Sequence, residues 1–264
     1  MTALRSIDPN RLAPAPGTRV AIIGGCGGIG RVLVRATLEA DLRVAVLDLP
    51  ASLQLHPPPT SVAPYSIDAV DKVSVLAAFD SLDQNWDGLD VLVNLCGFMN
   101  AFEPVENLGE LAWDEVINGN LRSTFLAAQA SLPLMRKAGG GAIVNTASGL
   151  AYKSLAGTGS YSAAKAGVIS LSKTLAREHA PSIRVNVIAP GAVDTQFLRG
   201  GTGRTAEGTD QATNIDTDEY ARATPLQRLA VPGDIVGPII FLIGDASRFM
   251  TGQVLHINGG GYMP

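Results

Sequence analysis

The stretch Val20–Ile23, read VAII, is apolar at every position rather than at every second one. A strand with one wet face alternates; a strand that is apolar throughout must be covered on both sides. Such cover comes from crossover helices, so this short run already points to a parallel sheet between two helical layers. Similar runs recur as RVAVLD (43–48), VLVNL (91–95), AIVNTAS (142–148) and IRVNVIAP (183–190), and PYSI (64–67) and QVLHING (253–259) add two more. Between them lie helical patterns. IGRVLVRATLEAD places Ile29, Leu33, Ala36 and Ala40 on one face, and further helices are expected over 70–85, 111–136, 161–180 and 234–244. Pro133 is expected to kink the last turn of the 111–136 helix, and Pro181 to stop the 161–180 helix. The predicted fold class is α/β, a single doubly wound parallel sheet (Rossmann-like) of about seven strands.

Two segments interrupt that rhythm. LHPPPTSVAP (55–64) reads as a proline-rich loop where another crossover helix would stand. RGGTGRTAEGTDQATN (199–214) is polar and rich in Gly and Thr, and is expected to belong to a lid at about 193–222. Residues 1–17 read as a tail and 18–264 as one domain. With 264 residues and a net charge of −4, the chain carries no basic run of the kind that grips nucleic acid. The N-terminus lacks a signal-like apolar run, and no stretch of about twenty apolar residues suggests a membrane span. Two cysteines and three scattered histidines (His56, His179, His256) favour a reducing, cytoplasmic setting and give no metal spacing.

The glycines of GGCGGIG (24–30) follow the first strand and open the first helix, as G-x-x-x-G-x-G. Gly24, Gly28 and Gly30, with Ile29 between the last two, allow a tight turn and bring backbone N–H groups near a pyrophosphate at the helix N-terminus. A structural turn would also use glycine. Here, however, the strand, helix and following acid that a dinucleotide site requires are all present. Asp48 ends the second strand, where a carboxylate accepts from both adenosine ribose hydroxyls and repels a 2′-phosphate, so NAD is the expected cofactor. Asp68 either caps the helix that follows it or touches the adenine.

Tyr161 and Lys165 stand four apart at the start of a helix and so share a face. Ser148 lies at the end of AIVNTAS, where open α/β sheets place ligands. Asn120 sits in WDEVINGNLRSTF (113–125), a polar run that packing alone does not call for.

In order and spacing these pieces resemble the short-chain dehydrogenase/reductase family over nearly the whole chain, from about Arg19 onward. The Gly24/Gly28/Gly30 loop, NLCG (94–97), Asn120, Ser148 thirteen residues before Tyr161, YSAAK (161–165), PGAVDT (190–195) and TGQVLHINGGG (251–261) carry the likeness. The resemblance implies a catalytic set of Asn120, Ser148, Tyr161 and Lys165. Tyr161 would be the general acid/base, with its phenol lowered by the Lys165 ammonium and the nicotinamide charge. Ser148 would bind the substrate oxygen, and Asn120 would hold a water linking Lys165 to solvent. Cofactor contacts are implied for Asn94, Gly97, Pro190, Val193, Thr195 and again Tyr161 and Lys165, and the assembly implied is a homotetramer. Ile23 and Leu95 depart from the threonine and second asparagine common in the family, which puts local hydrogen bonding there in question. No cation is evident beside Asp48 to receive a 2′-phosphate. Phe98, Leu150, Tyr152, Ala192 and Phe197 are expected to wall a fairly apolar substrate pocket.

The function expected is hydride transfer between a secondary alcohol/ketone and NAD. Alternatives are an NADPH-dependent 3-oxoacyl reductase, which Asp48 disfavours, and a dinucleotide-sensing protein without catalysis, which would be expected to lose Tyr161 or Lys165. Cys26 and Cys96 read as small residues filling tight turns rather than as a redox pair.

Overall fold

A computed structural model describes residues 12–100, 102–199 and 215–263. Seven strands form one parallel sheet: β1 (Arg19–Ile23), β2 (Arg43–Asp48), β3 (Ala63–Ser66), β4 (Val91–Asn94), β5 (Gly141–Thr146), β6 (Ile183–Pro190) and β7 (Val254–Ile257). Their order is β3-β2-β1-β4-β5-β6-β7, so the chain reverses its direction of travel between β1 and β4. The apolar runs are divided between two layers as the pleat demands. Ala21, Ile23, Ala45, Leu47, Leu92, Ile143 and Val185 face one layer, and Val20, Ile22, Val44, Val46, Val93, Val144 and Ile188 face the other.

The first layer is built by α3 (Lys72–Trp86), α5 (Ser123–Lys137) and α6 (Gly159–His179). The second holds α1 (Gly28–Glu39) and α8 (Pro232–Ile243). Three further helices complete the set: α2 (Pro50–Leu55), α4 (Glu110–Ile117) and α7 (Thr217–Ala223).

Several expectations are corrected here. A short helix, α2, precedes the proline-rich loop, with Pro50 in its first turn where its missing N–H costs nothing. The single helix expected over 111–136 is α4 and α5 joined through a π turn at Asn118–Arg122. Three side-chain donors there reach back one turn: Asn120 Nδ2 to Val116 O, Ser123 Oγ to Gly119 O and Thr124 Oγ1 to Asn120 O. Side chains that bond i−4 carbonyls compete with the backbone ladder and widen it. Asp68 does not cap α3; Asp71 does, accepting from the N–H groups of Val73 and Ser74, while Asp68 closes a small turn onto the Val70 N–H. Residues 12–17, expected as tail, are tied to the domain: Pro14 is buried and Gly17 N–H donates to Asp41 O at 2.7 Å. The lid segment 200–214 lies outside the described residues.

Arg184 of β6 joins the far end of the fold to the sheet. Its guanidinium is partly buried and donates to the carbonyls of Leu242, Gly244, Ser247 and Met250, tying together the C-terminus of α8 and the turn that follows it. Burial holds its pKa below the usual arginine range, yet guanidinium remains the charged form. Replacing Arg184 by Met would take the charged donor from all four carbonyls at once, leaving them only the weaker neutral donors of Ser247, Met250 N–H and Asn186. Arg184→Met is therefore expected to cost about 2–4 kcal/mol in urea unfolding. A loss below about 0.5 kcal/mol would show that water replaces the guanidinium at no cost.

Candidate active site

The C-terminal ends of the strands bring the polar residues together. At the end of β1 the chain turns through Gly24–Gly27 into α1. A Cβ on Gly30 would run into the carbonyl oxygen of Gly24, so the turn closes this tightly only with glycine there. The α1 N-terminus has Gly27 as its N-cap, no side-chain cap and no acidic residue in its first turn. Its first N–H groups, at Gly28, Ile29 and Gly30, are thus left for an anion, which is the cradle a pyrophosphate requires.

The departures at Ile23 and Leu95 are made good by backbone and packing. Leu95 N–H donates to Ile23 O at 3.0 Å, and the Leu95 side chain packs in the α1–α8 layer.

Asp48 closes β2 beside this loop. One carboxylate oxygen accepts from the Cys26 N–H at 2.8 Å and the other from the Leu49 N–H at 2.8 Å. Each oxygen keeps a second acceptor site for a ribose hydroxyl. Burial and the neighbouring Asp48 charge push the Cys26 thiol up to about 12. A cation is closer than the sequence suggests. Arg31, one residue past Gly30, acts electrostatically on that same thiol, and its guanidinium reaches His56 Nδ1 at 3.2 Å.

Asn94 is buried and turned inward, donating to Thr124 Oγ1 and accepting from the Cys96 N–H. Its side chain shapes the β4 end rather than lining an open surface. Beyond it, Gly97 marks a close approach. A Cβ there would lie 2.5 Å from Asn120 Oδ1 and 2.9 Å from Lys165 Nζ. Asn120 is fully buried; its Nδ2 donates to Phe98 O and Val116 O, and its Oδ1 is left with no protein partner. An orphaned buried acceptor beside a buried ammonium is a polar slot of the size a water fills.

Lys165 is 2% exposed and donates to the carbonyl of Thr146 at 2.9 Å. Burial lowers its pKa to about 8, partly countered by the Cys96 thiol. Its Nζ stands over the Tyr161 ring, 5.5 Å from the centroid. Tyr161, in the first turn of α6, is 6% exposed. Its phenol is raised by burial, and the hydrogen bond from Ser148 offsets only part of that rise. Desolvation of the phenolate is the larger effect on this group from the protein alone, before any cofactor charge is added. Ser148 sits two residues past the end of β5, at the head of a 3-10 turn over Gly149–Ala151, where its Oγ accepts from the Leu150 N–H.

Phe98, Leu150 and Phe197 pack with Tyr161, and the Phe197 ring lies 6.2 Å from the phenol ring. These three members of the expected apolar wall are brought together. Tyr152 is not among them; it lies half exposed with His256 and Tyr262. Thr195, from the loop after β6, packs on Gly28, where a Cβ would come within 2.6 Å of its methyl. Pro190 ends β6, and Val193 bridges to Ala230. Two contributors go unread in the sequence: the Thr146 carbonyl, which backbone chemistry hides from any motif, and Tyr262, far along the chain. Among the described residues, no cluster of His, Cys, Asp or Glu suits a metal. No helix there is long and apolar enough to cross a membrane.

Residues 24–262 match the family described as enoyl-(acyl carrier protein) reductase. A probable galactose dehydrogenase of Rhizobium meliloti is 35% identical over 252 residues, covering 91% of this chain and 93% of that one. The chain belongs to the short-chain dehydrogenase/reductase family. A 3-oxoacyl-(acyl-carrier-protein) reductase of Thermotoga maritima is 34% identical over 203 residues, 76% of this chain and 78% of that one. A solved short-chain dehydrogenase/reductase from Brucella melitensis, described as a glucose/ribitol dehydrogenase, superposes with a TM-score of 0.83 at 27% identity, covering 96% of this chain and 99% of that one. As a member of this family the chain is an oxidoreductase of alcohol/ketone pairs that works with a nicotinamide cofactor.

The buried ammonium yields a test that needs no substrate. Lys165 has a folded pKa of about 8 against an unfolded value of 10.5. Between those values the unfolded chain binds more protons, so the burial penalty is full below pH 8 and fades as pH rises. The melting temperature of wild type relative to Lys165→Met is expected to climb from pH 8 to pH 10.5. A flat difference across that window would mean the amine is not buried in charged form.

Proposed function

We propose that the chain is an NAD-dependent dehydrogenase of a secondary alcohol/ketone pair, with Tyr161 as its acid/base. The observation that carries this reading is the convergence of Tyr161, Lys165, Asn120 and Ser148 on one buried site at the ends of β4 and β5. Bound NAD would supply the carbon that accepts or returns hydride. The α1 N–H groups, Asp48, Gly97, Lys165, Pro190, Val193 and Thr195 are the residues suited to hold it, with Asp68 and the β4 end at Asn94 beside the adenosine half.

In the alcohol direction the substrate hydroxyl donates to Tyr161 as its proton leaves, and the Ser148 hydroxyl donates to the same substrate oxygen. The Leu150 N–H takes one acceptor site on Ser148, and the hydroxyl hydrogen, which otherwise serves Tyr161, would turn to the substrate oxygen. Lys165 stabilises the phenolate that must be present to take the substrate proton, and the slot between its ammonium and Asn120 Oδ1 offers the path by which the proton then leaves the phenol. Burial keeps the resting phenol protonated, which suits it as the acid for ketone reduction. The apolar wall of Phe98, Leu150 and Phe197 favours a substrate with hydrocarbon around its carbinol. Tyr161→Phe is expected to lower kcat by roughly 10²–10⁴ with cofactor affinity kept, whereas Lys165→Ala should weaken both. A Phe variant with more than about a tenth of wild-type kcat would remove Tyr161 from this role. Both residues are present and buried together, which speaks against a non-catalytic dinucleotide sensor.

For the cofactor, Asp48 favours NAD over NADP and so disfavours the NADPH-dependent 3-oxoacyl reductase reading. Beside this carboxylate a 2′-phosphate meets like charge, cut severalfold by solvent, and loses about 1.5–3 kcal/mol of ribose bonding. Arg31 returns some attraction, so a preference of roughly 10² in kcat/KM is expected. Comparing NADH with NADPH tests it: use of both within about threefold would overturn the NAD assignment. Asp48→Ser with Leu49→Arg should narrow the ratio.

A homotetramer in the cytoplasm is the expected state. Two free cysteines fit a reducing compartment, and exposed apolar residues near the β7 edge, with Phe249 fully solvent-facing, fit a surface that another copy covers.

A further inference from the structure

We propose that Tyr262, near the C-terminus, is a positioning residue for Ser148. This rests on the reading above that Ser148 binds the substrate oxygen. After β7 the chain reverses in a tight turn: Gly261 N–H donates to Asn258 O at 3.0 Å, Gly260 N–H to Asn258 Oδ1 at 2.9 Å, and Asn258 Nδ2 to Tyr262 O at 2.9 Å. The turn carries the Tyr262 ring back over the start of the 3-10 turn that Ser148 heads. A Cβ on Gly149 would lie 2.7 Å from Tyr262 Cε1, so glycine at 149 is what lets the ring sit down on that turn.

The ring is fixed from its other sides. Its hydroxyl meets His256 Nδ1 at 2.5 Å, the His256 ring stands edge-on at 5.2 Å, and the Tyr152 ring lies stacked at 6.1 Å. Tyr152 in turn meets His256 edge-on at 4.8 Å. The tail therefore grips both ends of the 149–152 segment, at Gly149 from above and at Tyr152 from the side. Burial favours the neutral forms of both partners, a phenol that donates and an imidazole Nδ1 that accepts, so the bond between them persists through neutral pH.

Within the 3-10 turn the bonds are local: Leu150 N–H to Ser148 Oγ, Ala151 N–H to Ser148 O, Tyr152 and Lys153 N–H to Gly149 O. Such bonds set the shape of the turn and leave its placement over the sheet to packing. Leu150 and Ala151 supply that packing from below, on Tyr161 and on Ile169 and Val187, and the Tyr262 ring supplies it at Gly149. A turn that drifts by even about 1 Å takes the Ser148 hydroxyl out of line with the reacting oxygen. The tail is anchored on its far side by α7 and the segment that follows it. Thr224 and Pro225 pack on Gly259 and Gly260, Leu226 N–H donates to Gly259 O, and the Tyr220 hydroxyl accepts from the Ala192 N–H.

The test is a double-mutant cycle on the full chain, read with NAD and any alcohol it oxidises. Tyr262→Ala is expected to lower kcat about tenfold and raise the KM for alcohol, with the dissociation constant for NADH, followed by its fluorescence, unchanged within about twofold. Tyr262→Phe keeps the ring on Gly149 and is expected to restore kcat to within about threefold of wild type. In a Ser148→Ala background, where the hydroxyl to be positioned is gone, Tyr262→Ala should lower the residual kcat by less than about twofold. Losses that multiply in the double variant, or an NADH affinity that falls in step with kcat, would overturn the proposal. Should Tyr262→Ala fail to fold, Gly149→Ala serves instead. Its new Cβ displaces the ring, so it should likewise lower kcat and leave NADH binding unchanged, and wild-type kcat there would overturn the proposal. A Ser148→Ala enzyme with full kcat would instead break the reading of Ser148, whatever Tyr262 does.

Discussion

Burying an ammonium group carries a cost that the surroundings must offset, and around Lys165 nearly every irregular feature of this molecule does so. The Thr146 carbonyl accepts from it at the last paired position of β5. The π turn swings the Asn120 amide oxygen toward the same point, and Gly97 leaves out the one carbon that would separate the two groups. Helix widening, a glycine without a side chain and a carbonyl at a strand end are each unfavourable or neutral for folding alone. Together they hold a charge in a place where it can act on a buried phenol.

The sheet and its two layers are legible because a doubly covered strand has few other sequences available to it. VAII, VAVL and VLV leave little choice of environment, and the glycine loop with Asp48 eighteen residues on fixes which strand comes first. The failures have physical reasons as well. Pro50 reads as a strand terminator and is also a good first residue of a helix, so α2 hides behind an ambiguous signal. The π turn arises from three side chains reaching back to their own helix, and periodicity is blind to that. Asp68 and Asp71 are equally good caps by type; only the chain's path selects Asp71.

At the site, residue types and spacing pick out the side chains to which the proposed chemistry is assigned but not what holds them. The Lys165 acceptor is a carbonyl and carries no letter in the sequence. Tyr152 reads as a wall residue, yet the 3-10 turn after Ser148 turns its ring toward the C-terminal tail. Burial of the Tyr161 phenol, which raises its pKa, is likewise invisible to spacing, because it depends on what packs around the ring.

Asp48, proposed above to bind the adenosine ribose, also accepts from the Cys26 N–H and lies beside its thiol. On that reading, cofactor choice is coupled to the shape of the glycine loop. A lineage that traded this carboxylate for a neutral residue would orphan a backbone donor within the turn and release a thiol that is now held inert. Its next selected change would fall at position 26, where alanine, serine or glycine would quiet the loop. Cysteine at 26 and aspartate at 48 are accordingly expected to be inherited as a pair.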